Sequence, residues 1–241
     1  MPRPPPRLPF PPNPPNFWLP TPIHPRPDPM SSPSFLQSLY IFLLFIPLVT
    51  LHEVAHAWAA HWLGDDEAED EGRLTLNPLS HIDIWGTLIL PVLNFVLNHS
   101  LTPLGWGRPV PFTPDERQPR LQMVLFAVAG PLASLLIAVI LTACRTLFLA
   151  PDSTWCNLLD TAAFISGFIG LSHLLIPIPP FDGWLLLGAF FRLPEELMNP
   201  GNVWWFVAFF VLLSFTPLLS AIGALTYYVL AHTEHLILFL K

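Results

Sequence analysis

The sequence predicts an all-α polytopic membrane protein, a helix bundle with a re-entrant segment and a small β element beside a polar site. Of the 241 residues, 52% are hydrophobic and only 11% are charged, and the mean hydropathy is +0.52. A soluble domain typically carries about twice that fraction of charged residues. Several apolar runs also approach or exceed the roughly 20 residues that a helix needs to cross a bilayer. Two histidines and a glutamate lie inside the first of these runs.

The first spanning helix is predicted from Phe35 to Leu63, and Gly64 ends it. Its second half contains His52-Glu53-Val54-Ala55-His56. Histidines four positions apart share one helix face about one turn apart, so both imidazoles can reach the same ion. Glu53 lies beside them, where a carboxylate can take a proton from a water whose pKa zinc has lowered. The alternative interpretation is a histidine pair at a helix end near the membrane surface.

The stretch between the first two spanning helices predicts the two smaller features. Gly72 to Pro78 has an alternating pattern that indicates a short strand, and Arg108 to Phe112 is predicted to be extended. Ile84 to Asn98 is apolar but short, about 22 Å as a helix at roughly 1.5 Å per residue. The hydrocarbon core is about 30 Å thick. This segment is therefore predicted to enter the membrane and return on the same side.

Two further spanning helices are predicted, Leu121 to Leu149 and Leu158 to Ile176. The second ends at Pro177-Ile178-Pro179-Pro180-Phe181-Asp182-Gly183, where the prolines must unwind the backbone, and a short apolar helix from Trp184 to Phe191 follows. Two more apolar runs, 203–219 and 221–240, close the chain. The sequence leaves open whether these cross the membrane twice or form one kinked crossing with an interfacial helix.

The N-terminal composition, the charge pattern and the two cysteines give three further predictions. Residues 1–33 are dominated by proline, which removes backbone donors, so we predict a disordered tail before a membrane domain at 34–241. The formal net charge is -7, with much of the acid in one run at 65–71. A solvated acidic loop gives no reason to expect a nucleic acid as a partner. Cys144 and Cys156 are interpreted as small apolar residues, because zinc-thiolate spacing is absent and a disulfide framework is not indicated.

A zinc site of the H-E-x-x-H type needs a third protein ligand. In a membrane bundle that ligand should lie at a broken segment, where unwound backbone lines a cavity. Asp182 satisfies this condition, because it follows Pro179-Pro180, precedes Gly183 and stands in an otherwise apolar stretch. The alternatives are that Asp182 is a solvated loop residue, or that Asp160 is the ligand, although Asp160 lies at the opposite end of its helix.

The chain resembles the site-2 protease family of intramembrane zinc metalloproteases, in its compact prokaryotic form. The resemblance covers the chain from about Phe35 to Leu197. It is carried by His52–His56, Gly72–Pro78 with His81-Ile82-Asp83, Gly105–Pro111, Ala129-Gly130-Pro131 and Pro177–Gly183. It implies that His52, His56 and Asp182 are zinc ligands and that Glu53 is the catalytic base. It also implies a substrate that is a transmembrane segment of another protein, bound as an added strand at the β element.

The chain departs from the family pattern at two positions. The family usually carries Asn where this chain has Ser134 and Leu174, and those amides are thought to orient the substrate or polarise its carbonyl. Ser134 keeps a hydroxyl and His173 lies beside Leu174, so both are predicted to contact the substrate. Five other histidines are not expected to be ligands: His61, His81, His99, His232 and His235. His81 could instead brace its loop.

We therefore predict a multi-pass zinc metalloendopeptidase of the cell membrane, with a membrane-protein substrate and the lipid bilayer as its partners. The alternative is a membrane scaffold that keeps the fold and the zinc site but has lost turnover, as the residues at 134 and 174 suggest. A metal transporter is disfavoured, since it has no need of Glu53 beside the ligands. The site can assemble only if residues 64–120 start and finish on one membrane face, which is predicted to be cytoplasmic.

Overall fold

The computed structural model describes residues 35–98, 104–191 and 217–240, all of which lie in one unit, Ser32–Lys241. The elements are α1 (Phe35–Trp62), α2 (Glu67–Asp70), a 3-10 turn (Pro78–Ser80), a π-helix (Ile84–Ile89), α3 (Leu90–Asn98), α4 (Pro119–Phe148), α5 (Thr154–Leu175), α6 (Asp182–Phe191) and α7 (Pro217–Leu240). The predicted proline-rich tail and most of the apolar run at 203–219 lie outside the described residues.

Three helices of the described ranges are long and apolar enough to cross a membrane, namely α1, α4 and α5. These are the three spanning helices that the hydrophobic runs predict. The last helix, α7, begins at Pro217, four residues before the apolar run at Ala221.

The helix α4 lies at the centre of the bundle, where it contacts α1, α5, α6 and α7. One core cluster joins Phe45 and Val49 of α1 to Ile165 and Ile169 of α5. A second cluster joins the α5 residue Phe168 to the loop and helix residues around it. Because α4 faces both α1 and the break between α5 and α6, it forms one wall of the polar site described below.

The predicted small β element is wrong for the described residues, which contain no strand. The alternating pattern at 72–77 has a different cause: Arg73 is 1% exposed, whereas Leu76 and Leu79 are 67% and 77% exposed. The Asn77 side chain accepts a hydrogen bond from the Leu79 amide (3.2 Å) and starts the 3-10 turn at Pro78. Turn chemistry and a buried cation therefore shape this stretch in place of a strand.

The buried Arg73 side chain connects separate parts of this loop. Its guanidinium donates to the carbonyls of Ser80 and Pro109, the latter at 3.1 Å, and its Nε lies 3.2 Å from a carboxylate oxygen of Glu71. The extended stretch from 104 onward meets the same loop through the Arg108 amide, which donates to the His81 carbonyl (2.7 Å). The two stretches that were expected to form a sheet are thus joined mainly by one buried side chain.

His81 braces this loop, which is the structural role that the sequence left open for it. Its Nε2 donates to the Thr75 carbonyl at 2.9 Å, and the residue has no exposed surface. Burial lowers the pKa of His81, so the imidazole stays neutral near pH 7.

The apolar segment after this loop is helical throughout its predicted length. Asp83 caps its start, because the Oδ1 atom accepts from the amides of Trp85 (3.0 Å) and Gly86 (2.6 Å). The π-helix at 84–89 then continues into α3, which ends at Asn98. The helix is shorter than the three spanning helices, as the sequence predicts.

Candidate metal centre

The helix α1 brings His52, Glu53 and His56 into the interior of the bundle. All three are buried, with exposed fractions of 0%, 5% and 3%. The spacing of four residues places the two imidazoles one turn apart, with their Nε2 atoms separated by 3.3 Å. The predicted arrangement on one helix face is therefore present.

Asp182 reaches the two histidines from the break between α5 and α6. It is the first residue of α6 and is 6% exposed. One carboxylate oxygen lies 3.1 Å from His52 Nε2 and the other lies 3.2 Å from His56 Nε2. The three residues offer ligand atoms that all lie within 4.8 Å of one another, so the group could hold a metal ion.

Asp160, the rival candidate, lies elsewhere. Its carboxylate is 3.2 Å from the Nε atom of Arg145, which also binds Glu234 at 2.5 Å. The arginine therefore joins α4, α5 and α7 through two carboxylates. This pairing accounts for Asp160 without a metal.

The hydrogen bonds behind the histidines indicate why a cation suits this group. His56 Nδ1 lies 2.9 Å from the backbone carbonyl of Phe126, and a carbonyl can only accept, so this nitrogen carries a hydrogen. In a neutral imidazole the other nitrogen, Nε2, then has a lone pair. That lone pair faces the Asp182 carboxylate and the second imidazole at 3.2–3.3 Å. Such groups repel one another unless a metal ion or an additional proton lies among them, and two imidazoles with a carboxylate are ordinary zinc ligands.

A glycine of α4 makes room for the group. A Cβ atom at Gly130 would overlap His56 Nε2 and would lie 2.7 Å from His52 Nε2. A small residue in a membrane helix allows a neighbouring helix to approach closely. The glycine also lets the α4 backbone lie directly against the ligand atoms.

A second glycine lies against Glu53. A Cβ atom at Gly107 would be 2.7 Å from the Glu53 Oε1 atom and still closer to its Cγ atom. The extended stretch around Gly107 therefore packs on the carboxylate and helps to bury it. Only the composition of this stretch, with Gly105 and Gly107 on either side of Trp106, gives a hint of that contact in the sequence.

Ser134 and His173, the two residues predicted to contact a substrate, lie against the group of His52, His56 and Asp182. Ser134 Oγ is 3.0 Å from His52 Nδ1, and His173 Nδ1 is 3.0 Å from Asp182 Oδ2. Both side chains are buried, and the His173 ring centroid is 4.3 Å from that of His52. The His173 Nε2 atom has no hydrogen-bond partner among the described residues.

Another histidine–carboxylate cluster joins the last turn of α1 to the residues that follow it. His61 Nδ1 is 3.1 Å from Asp66 Oδ1 and 3.0 Å from Glu69 Oε2. Both carboxylates are more than half exposed, and exposed ion pairs of this kind contribute little and need no metal. We interpret this cluster as a solvated surface.

Comparison with known proteins shows similarity to bacterial zinc metalloproteases, three of which are described here. The chain is 35% identical over 175 residues to YwhC of Bacillus subtilis (strain 168), a protein assigned as a zinc metalloprotease, and the alignment covers 67% of this chain and 70% of YwhC. It is 33% identical over 196 residues to Rip2 of Mycolicibacterium smegmatis, with the same assignment, covering 77% of this chain and 71% of Rip2. Rip2 of Mycobacterium tuberculosis (strain H37Rv) is 31% identical over 152 residues, covering 60% and 54%. No family model and no solved structure matches the chain.

Proposed function

Because this chain belongs to the family of zinc metalloproteases that includes YwhC and Rip2, we propose that it is an intramembrane protease of the site-2 type. Its substrate in this proposal is a transmembrane segment of another protein, cut within or near the bilayer. The observation that carries the proposal is the burial of His52, His56 and Asp182 between helices apolar enough to span a membrane. Ionisable residues are costly in hydrocarbon and mark functional sites there.

In this proposal, His52, His56 and Asp182 hold the zinc ion and Glu53 is the general base. When bound, zinc supplies a Lewis acid that polarises a carbonyl and makes water more acidic. Glu53 accepts a proton from the attacking water through a carboxylate oxygen and returns it to the leaving amine. Phe126 fixes the hydrogen of His56 on Nδ1, and His173 holds the Asp182 carboxylate in place.

The burial of the site also restricts the backbone conformation in which a substrate can reach it. Glu53 is covered by the stretch around Gly107, and none of the three proposed ligands exceeds 6% exposure. A peptide bond can reach these groups only as an unwound strand, because the backbone amides of a helix are enclosed by their own hydrogen bonds. We therefore expect substrates whose transmembrane helix contains glycine or proline near the scissile bond, since these residues destabilise a helix.

A specific observation supports the alternative of a scaffold with little or no turnover. The Ser134 hydroxyl lies against His52, so its first partner is a proposed ligand and not a substrate carbonyl. Leu174 offers no donor in place of the usual amide. Loss of one oxyanion donor in other hydrolases costs on the order of 3 kcal/mol in the transition state. A slow protease is therefore expected, and a scaffold is its limiting case.

The test of the proposed function is a cleavage assay in liposomes that contain the full-length protein and a single-pass membrane substrate. We expect cleavage that stops when a chelator removes zinc and returns when zinc is restored, with product masses that place the cut inside or beside the transmembrane segment. A protein that binds zinc but cleaves no such substrate would support the scaffold. Cleavage that persists without metal would contradict the proposal.

We also propose that Ile84–Asn98 is re-entrant, with residues 64–120 beginning and ending on one membrane face. The two ends of this region meet in the fold, since the Thr113 amide donates to the Asp65 carboxylate (2.5 Å) and Gln122 Nε2 donates to the Leu63 carbonyl (3.2 Å). Contacts this close cannot join opposite faces of a bilayer about 30 Å thick.

Cysteine labelling should report this arrangement. In a parent that carries Cys144→Ala and Cys156→Ala, Asp70→Cys and Asp115→Cys should both be protected from an impermeant thiol reagent in intact cells. Asp152→Cys, in the turn after the long helix α4, should react from outside. Reaction of positions 70 and 115 from opposite sides would refute the re-entrant segment.

A further inference from the structure

We infer that Ser134 is a positioning residue for the metal centre, whose hydroxyl accepts a hydrogen bond from His52 Nδ1 and so leaves Nε2 free as a ligand. This inference rests on the proposed function, because it assigns a role toward the proposed zinc ion. The distance from Ser134 Oγ to His52 Nδ1 is 3.0 Å, and both residues have no exposed surface. A ligating histidine generally has its second nitrogen bound to an acceptor, which fixes the tautomer and the ring orientation.

The Nδ1 atoms of both histidines bind groups of α4, but the two groups differ in kind. His56 Nδ1 binds the backbone carbonyl of Phe126, which no substitution removes. His52 Nδ1 binds a side chain, which can be removed by deleting one oxygen atom. Because α1 and α4 run antiparallel here, the earlier histidine meets the later residue of α4. The orientation of His52 therefore depends on a replaceable group.

Ser134 is itself held in place. Its carbonyl accepts a hydrogen bond from the hydroxyl of Ser166 on α5 at 2.7 Å. On the same side, Gly170 lies so close that a Cβ atom there would be 3.2 Å from the Ser134 Cβ atom. The backbone at 134 is thus fixed by α5, while the hydroxyl faces α1. A hydroxyl held in this way can orient the ring without rearranging.

If Ser134 orients the ligand His52, its removal should change a different quantity than if it contacts the substrate. A group that contacts only the substrate changes KM or kcat and leaves zinc affinity unchanged. A group that orients a ligand changes zinc affinity even when no substrate is present. Zinc affinity therefore separates the two roles and does not require the protein to be active.

The test is the equilibrium affinity of the purified full-length protein for zinc, measured by competition with a chromophoric chelator. We expect Ser134→Ala to weaken zinc binding about 10–100-fold, and Ser134→Thr, which keeps a hydroxyl, to recover most of the affinity. The matched control is Ser166→Ala, which deletes a buried hydroxyl that binds the carbonyl of Ser134 and not the histidine. Its zinc affinity should stay near that of the wild type, and gel filtration and thermal unfolding should show that each variant is folded.

Each outcome gives a decision. If the wild type binds about one zinc ion and Ser134→Ala binds it equally tightly, the positioning role is wrong while the proposed function stands. If Ser166→Ala weakens binding as much as Ser134→Ala does, the effect is one of local packing and the inference is also overturned. If the wild type binds no zinc, the metal centre of the proposed function fails and this inference fails with it.

Discussion

Replacing Glu53 with glutamine should abolish peptide hydrolysis while about one zinc ion stays bound to each chain. The amide has nearly the shape of the carboxylate, so it should still fit against Gly107 and leave the neighbouring histidines undisturbed. It cannot accept a proton, and a general base typically contributes about 10²–10⁴-fold to the rate. The expected loss of cleavage is therefore at least about hundredfold. The measurements are the cleavage rate in liposomes and the zinc content of the same preparation.

The matched control for this substitution is Glu67→Gln, which makes the same change at an exposed position in α2. Its cleavage rate should equal that of the wild type. Substantial proteolysis by Glu53→Gln would show that another group accepts the proton. Loss of zinc from Glu53→Gln would show that Glu53 supports the metal and would leave its role as a base unproven.

Replacing Gly130 with alanine should remove zinc binding, although Gly130 is not a ligand. The new methyl group would overlap His56 Nε2 and press on His52 Nε2, so the two nitrogens could not both face one ion. Changes beside a ligand already cost about 10–100-fold in metal affinity, and direct displacement of two ligand atoms should cost at least as much. The expected result is a folded protein that neither retains zinc nor cleaves substrate, measured by metal analysis and by the liposome assay.

Gly223→Ala serves as the control for the added methyl group. A Cβ atom at Gly223, in α7, would come no nearer than 3.9 Å to a neighbouring side chain. This variant should bind zinc and cleave substrate as the wild type does. If Gly130→Ala also bound zinc normally, the two histidines would have to be arranged differently from the geometry described above.

Much of the fold was predictable because the strongest signals are local. Length and hydrophobicity identify α1, α4 and α5, since a membrane requires a helix of about 20 apolar residues. The spacing of His52 and His56 determines that they share a helix face. The prolines before Asp182 mark the break from which its carboxylate reaches both histidines.

The errors arose where contacts between distant segments decide the structure. Alternation at 72–77 looks like a strand, but it reflects one buried arginine whose partners lie up to 36 positions further along the chain. The contact of the Ser134 hydroxyl with His52 was not foreseen, because it depends on how α4 is rotated against α1, while the predicted contact of Ser134 with a substrate stays a prediction. The roles of Gly107 and Gly130 depend on how closely two backbones approach buried side chains. Single-sequence patterns carry no information about that distance.

The most direct test of the account is the X-ray absorption spectrum of zinc bound to the purified full-length protein. Zinc held by His52, His56 and Asp182 should show only nitrogen and oxygen ligands at about 2.0–2.2 Å, with the multiple scattering typical of imidazole. A His52→Ala, His56→Ala double variant should retain little zinc, and any zinc that stays bound should lack the imidazole scattering. A sulfur ligand at about 2.3 Å would instead point to Cys144 or Cys156 and would contradict the proposed centre. An unchanged spectrum in the double variant would contradict it equally.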